Sequence, residues 1–126
     1  MTLKTNLKLN VKRVYDVPAR SDARRVLVDR IWPRGLSKET AKLDAWLKDL
    51  APSAELRAWF GHDASKWAAF KRRYFRELDR QDSVRGQLVE TSPRRTLTLL
   101  FAAKDSEHNN AVALKEYVDK QLASKA

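Results

Sequence analysis

Two apolar runs in this chain end abruptly in charge, and the side chains just past those ends carry most of its convergent polar chemistry. Val26-Leu27-Val28 runs into Asp29, Arg30 and then Trp32-Pro33-Arg34-Gly35. Leu97-Thr98-Leu99-Leu100-Phe101 runs into Lys104, Asp105, His108 and Asn109. Ligands of α/β sheets sit beyond the carboxyl ends of parallel strands. If the two runs are parallel neighbours, these side chains face one crevice. Arg30, Arg34, Gly35, Lys104 and Asn109 then form a candidate site for a phosphate or carboxylate. Guanidinium forks match oxyanions, Gly35 permits a positive φ or a close backbone approach, and the first turn of a helix opening at Asn109 or Asn110 offers free N–H groups. Asp29 and His108 are the candidate catalytic pair. The carboxylate would act as general base or orient the cations, and the imidazole titrates near neutrality.

Each of these residues also has a plain structural use. A lone buried carboxylate is costly, so Asp29 can simply pair with Arg30, Arg34 or Lys104. Trp32 can plug the core and leave Arg34 in water. Asp105 and Glu107 can be all that the helix end requires. His62, in a short loop after Gly61, reads as solvent-facing. There is neither a G-x-G-x-x-G nor a Walker A loop, so no nucleotide cofactor is expected. With two His and no Cys, no metal site, disulfide or thiolate nucleophile is expected either.

The net charge of +10, from 26 Lys+Arg against 16 Asp+Glu, favours anionic partners. Arg73, Arg76 and Arg80 recur at helical spacing and make a second candidate surface, for nucleic acid. Arg94 and Arg95 add to it. The alternative is a solvated helix face neutralised by Glu77 and Asp79. A third possibility is an interaction or accessory domain with no ligand, whose junction residues pair with one another. The first ten residues lack the apolar stretch of a signal peptide, and no run approaches a membrane span of roughly 20 apolar residues. A cytoplasmic protein without membrane contact is expected.

The elements that must hold these groups follow from periodicity. Leu7, Leu9 and Val11 alternate with polar residues, predicting a strand over 7–14. Residues 25–31 and 96–103 are continuous apolar runs, predicting buried strands. Leu43, Trp46, Leu47 and Leu50 recur as one helical face after a cap at Ser37, with Pro52 as a stop. Ser53 caps a short helix that Gly61 ends. Trp67, Phe70, Tyr74, Phe75 and Leu78 form the clearest apolar stripe, with Asp63 or Ser65 as cap. Val84–Thr91 is a weaker helix. Ala111, Leu114, Tyr117, Val118 and Leu122 close the chain. The prediction is a single small α/β domain over 1–126, with a short, mainly parallel sheet of about three strands and helices packed on it. The direction of the first strand is left open.

Several of these segments together resemble a known family. Lys12-Arg13-Val14-Tyr15-Asp16, Val26 to Gly35, Leu43-Asp44-Ala45-Trp46-Leu47-Lys48, Ala51 to Arg57, Phe60-Gly61-His62 and Leu99 to Asn110 resemble the YeaO-like branch of the domain of unknown function 488. The resemblance covers roughly residues 11 to 122. It implies a compact α/β domain and no established reaction. Longer members carry a Cys and a Cys-His-Arg run near the closing loop. Here the matching positions are Phe101 and Asn109-Asn110-Ala111, so the resemblance carries no thiol chemistry to this chain.

Overall fold

The computed structural model describes residues 7–92 and 96–125, with side chains through residue 121. Arg94, Arg95 and the Leu122 side chain lie outside these. Four strands form one parallel sheet: β1 (Lys8–Arg13), β2 (Arg24–Leu27), β3 (Ala45–Trp46) and β4 (Thr96–Phe101), in the order β1-β4-β2-β3. Five helices surround it: α1 (Lys38–Ala41), α2 (Ala54–Phe60), α3 (Trp67–Asp79), α4 (Val84–Thr91) and α5 (Asn110–Lys125).

The last strand is central. β4 pairs with β1 from Lys8↔Thr96 to Arg13↔Phe101, and with β2 from Arg24↔Leu97 to Leu27↔Leu100. This settles the first strand as parallel. The link from β1 to β2, residues 14–23, must still return the chain past β4 to the amino end of the sheet, and it does so with a single 3₁₀ turn at Arg20–Asp22 in place of a helix. β4 is buried on both faces from Leu97 to Phe101, as the run of apolar residues requires. One face packs Val26, Leu97 and Leu99 against Phe70, Tyr74, Leu78, Leu114 and Val118. The other covers Leu27 and Leu100 with Val14, Trp32, Leu36 and Leu43.

One expectation is overturned. Residues 43–50 are not a helix. Lys42 adopts φ 48, a left-handed conformation that ends α1 after one turn. Asp44 then accepts a hydrogen bond at 2.8 Å from the Arg25 N–H. The chain joins β2 as β3, with Val26↔Ala45 and Leu27↔Trp46, before a 3₁₀ turn at Lys48–Leu50. Asp63 caps a 3₁₀ turn at Ala64–Lys66 and not α3 itself, which starts behind Lys66 without a side-chain cap; three other predicted caps hold. Ser37 accepts from Thr40 N–H, Ser53 from Leu56 N–H and Asn109 from Val112 N–H. Gly61, at φ 52, closes α2.

The sheet face that carries Leu27 and Leu100 also holds a buried charge cluster that no sequence pattern announces. Arg25 donates to Asp22 at 2.6 Å and to the Ala41 and Lys42 carbonyls at the end of α1. Lys12 reaches the same Asp22 carboxylate at 3.0 Å. Asp22 in turn offers its backbone carbonyl to the Thr98 hydroxyl.

Candidate functional site

A cavity of about 370 Å³ opens beyond the carboxyl ends of β2 and β4. β2 stops at Leu27 and β4 at Phe101, so Asp29 and Ala102 stand just past adjacent strand ends. The 29–36 loop is held rigidly above them. The Trp46 indole N–H donates to the Asp29 carbonyl at 2.7 Å, and the Trp32 indole N–H to the Leu36 carbonyl at 2.6 Å. The two indoles meet edge to face at 5.4 Å. Pro33 is buried, and Tyr15 donates its hydroxyl proton to the Arg34 carbonyl. Gly35 takes φ 75, and an added Cβ would meet nothing within 4 Å. Its role is therefore the left-handed turn and not a close ligand approach, and it stands outside the cavity lining.

Asp29 sits at the base. Its two carboxylate oxygens accept from the Ala102 N–H and the Asn110 amide, each at 3.0 Å. The same Asn110 amide nitrogen also donates to the Val28 carbonyl at 2.8 Å. This small network ties the end of β2 to the first residue of α5. Among the described residues Asp29 forms no ion pair with Arg30, Arg34 or Lys104. Burial pushes its pKa above the ordinary carboxylate value, against the opposing pull of the Asn110 and Ala102 hydrogen bonds and the more distant positive charge of Arg57 and His62.

Arg30 spends part of its guanidinium on the chain. Nε donates to the Pro52 carbonyl at 3.2 Å and Nη2 to the Ala51 carbonyl at 3.4 Å. Arg34 and Arg57 also line the cavity, and among the described residues neither side chain has a hydrogen-bonded acid. His62 lines it as well, carried on two successive left-handed residues, Gly61 at φ 52 and His62 at φ 58. A non-glycine residue in this region is uncommon and clusters at functional sites.

His108 completes the wall. Its Nδ1 lies 2.9 Å from Asp105 Oδ2, and its ring meets Trp67 edge-on at 5.3 Å. The Glu107 N–H and the His108 ring, with the His108 N–H, hold the Asp105 carboxyl below its ordinary pKa. An ionised Asp105 makes Nδ1 the protonated nitrogen. Nε2 is then left to serve the cavity, as an acceptor when the ring is neutral and as a donor when it is charged.

The predicted residues therefore divide. Asp29, Arg30, Arg34 and His108 meet at one cavity. Lys104 does not line it. The chain turns after Phe101, and the exposed Lys104 borders an adjoining depression with Arg13, Tyr15, His62 and Asp105. Asn109 lines the cavity, yet both ends of its side chain are engaged, donating to the Asp105 carbonyl at 2.9 Å and capping α5. Its amide nitrogen keeps one N–H for a ligand. Arg57, His62 and Tyr15 are cavity residues that the strand-end rule could not find, because they arrive from α2 and from the loop after β1. The Gly61-His62 pair after an apolar helix was the one available signal. Arg73, Arg76 and Arg80 lie apart on α3. Among the described residues no group of three His, Asp or Glu side chains could hold a metal ion, and no helix is long and apolar enough to cross a membrane.

Comparison with known proteins places the chain among relatives with no assigned activity. The profile of the Inactive DUF488-N3 subclade matches residues 8–126. The chain is 38% identical over 112 residues to the uncharacterized protein YeaO of Escherichia coli K12, covering 89% of this chain and 97% of that one. It is 34% identical over 112 residues to the uncharacterized protein Rv3073c of Mycobacterium tuberculosis H37Rv, covering 89% and 94%. No solved structure matches it.

Proposed function

The chain belongs to the inactive DUF488-N3 subclade of the domain of unknown function 488, and from that premise we propose that its cavity binds a small phosphate or carboxylate without turning it over. One observation carries the reading. Arg34 and Arg57 line the cavity with no acid bonded to them, while the acid in the same lining, Asp29, accepts from two neutral donors. The lining thus has uncompensated positive charge held by a stiff loop. An anion entering it forms charge-assisted hydrogen bonds without displacing an existing ion pair, and the pinned loop limits the ordering cost. The amino end of α5 adds a favourable dipole.

Asp29 and His108 then serve to select and orient. Asp29 repels a ligand that approaches its oxygens, so the anion sits toward Arg34 and Arg57. The Asp105–His108 pair offers a third contact through the ring nitrogen that Asp105 leaves free. The subclade's description as inactive is the reason these groups are assigned to binding and not to proton transfer.

Thermal unfolding against inorganic phosphate and small carboxylates tests this. A ligand at about 100 times its Kd adds roughly 2.7 kcal/mol, which for this chain length is a rise of roughly 10 °C. The rise should disappear in Arg34→Ala and Arg57→Ala, both exposed and free of structural bonds. An equal rise in parent and variants would remove the proposal.

A further inference from the structure

The outer face of α3 points to a second site, and we propose that it binds the phosphodiester backbone of nucleic acid independently of the cavity. Arg72, Arg73, Arg76 and Arg80 are all exposed. Arg72, Arg76 and Arg80 recur every four residues, so at a rise of 1.5 Å per residue they form a row about 12 Å long. Successive phosphates on one strand of a duplex advance about 3.4 Å along its axis, so the row spans about four of them.

The helix carries two acids that should neutralise this row, Glu77 and Asp79. Both are turned away. Glu77 accepts from the Ser53 N–H at 2.8 Å and the Ser53 hydroxyl at 2.6 Å, at the start of α2. Asp79 accepts the Tyr117 hydroxyl at 2.6 Å, from α5. Glu116 is likewise taken by Lys71 and Lys120. Among the described residues no acid pairs with any of the four arginines. The helix thus holds its carboxylates at its two flanks for packing and leaves its guanidinium groups free. Arg73 is further pre-ordered, lying 4.1 Å from the centre of the Trp59 ring, which lowers the entropy lost when it engages a phosphate.

The partner's chemistry follows from what the face lacks. A helix that lies on a membrane needs an apolar face to insert. The large apolar residues of α3 are buried (Phe70, Tyr74, Leu78) or half-buried (Trp67, Phe75), and the exposed large hydrophobics Tyr15, Val17, Ile31 and Trp46 all belong to other segments. A row of forked cations, with the Trp59 ring beneath Arg73 as the aromatic beside it, suits a polyphosphate backbone.

Fluorescence anisotropy with a labelled single-stranded oligonucleotide of about 12 residues, and with the matching duplex, tests the proposal and tells the two forms apart. Four phosphate contacts predict a log–log salt slope near −3, so affinity should fall about a hundredfold between roughly 50 and 200 mM salt. The triple variant R72Q/R76Q/R80Q should bring that slope close to −1. A control variant with the same charge loss elsewhere, R20Q/R24Q/K38Q, should leave it unchanged, as should R34A. Equal loss in the two triple variants would assign binding to net charge and overturn the proposal. So would absence of binding at the lower salt, or binding to anionic phosphatidylglycerol vesicles in place of either oligonucleotide.

Discussion

Replacing Arg25 by Met removes a buried charge held by four side-chain hydrogen bonds. Its side chain and that of Asp22 are only 5% and 6% exposed. Nη1 donates to Asp22 at 2.6 Å, Nη2 to the Ala41 carbonyl at 2.9 Å, and Nε to the Ala41 and Lys42 carbonyls at 3.2 Å each. Met matches the aliphatic stem but leaves both carbonyls at the end of α1 without these donors. Removing one partner of a buried pair costs about 3–5 kcal/mol. Asp22 keeps Lys12 and the Ala19 N–H, each at 3.0 Å, so the expected loss lies at the lower end, about 3 kcal/mol. For this chain length that is a fall in Tm of roughly 10 °C. Urea unfolding and calorimetry read both quantities. Arg25→Lys keeps the charge and loses the fork, and should fall between parent and R25M. The pH dependence follows from Asp22. Burial raises its pKa, but the Ala19 N–H, Lys12 and Arg25 together outweigh that and hold it below the ordinary 3.8. Its contribution is therefore complete above that value and is lost as pH falls through the native value. The gap between parent and R25M should narrow in that acid range. A loss under about 1 kcal/mol at neutral pH would refute the reasoning, because it would mean that desolvation of the pair cancels its bonds.

Two further substitutions probe other parts of the fold. Asp29→Asn leaves one acceptor for two donors, the Ala102 N–H and the Asn110 amide, at a cost of about 1–3 kcal/mol for the one left unmatched. Because burial raises the Asp29 pKa, its protonated form favours the folded state, an advantage complete below the ordinary value of 3.8 and lost as pH rises through the native value. Urea titrations at several pH values should show that decline in the parent and not in the variant, and parallel profiles would contradict it. Ser53→Ala removes both the cap on Leu56 N–H and the hydroxyl bond to Glu77. A loss of about 1–2 kcal/mol in thermal unfolding is expected, and a neutral result would mean that Glu77 alone secures the helix start.

The sequence made the frame legible wherever one local rule decided the outcome. Alternation at Leu7, Leu9 and Val11 located β1, and the side-chain caps at Ser37, Ser53 and Asn109 located three helix starts. β3 was hidden because two residues carry no period. Leu43, Trp46, Leu47 and Leu50 have helical spacing, and only the left-handed turn at Lys42 and the tertiary bond from Arg25 to Asp44 divert them. In the cavity, the strand-end rule brought Asp29, Arg30, Arg34 and His108 together. It brought in Asn109 as well, though with its amide already bonded to Asp105 and to the start of α5, and it did not bring in Lys104, which is carried outward by the turn after Phe101. Arg57 and His62 were unreadable as partners of Asp29 because their approach depends on how α2 packs. The Asp22–Arg25 clamp was missed for the same reason, since adjacent charges look alike whether buried or solvated.

The position of β4 at the centre of the sheet has a consequence for synthesis. Lys8 pairs with Thr96 and Arg24 with Leu97, so the first two strands leave the ribosome long before the strand that joins them exists. They share no edge in the finished sheet; of what is made early, only the two residues of β3 pair with β2, and β1 pairs with β4. Closing these long loops must precede any return from pairing. The nascent chain therefore waits with Val26, Leu27 and Val28 unburied until Phe101 has emerged, and during that interval it depends on chaperones or on speed to avoid association. Shortening the chain before residue 101 should yield not a smaller domain but an unfolded one.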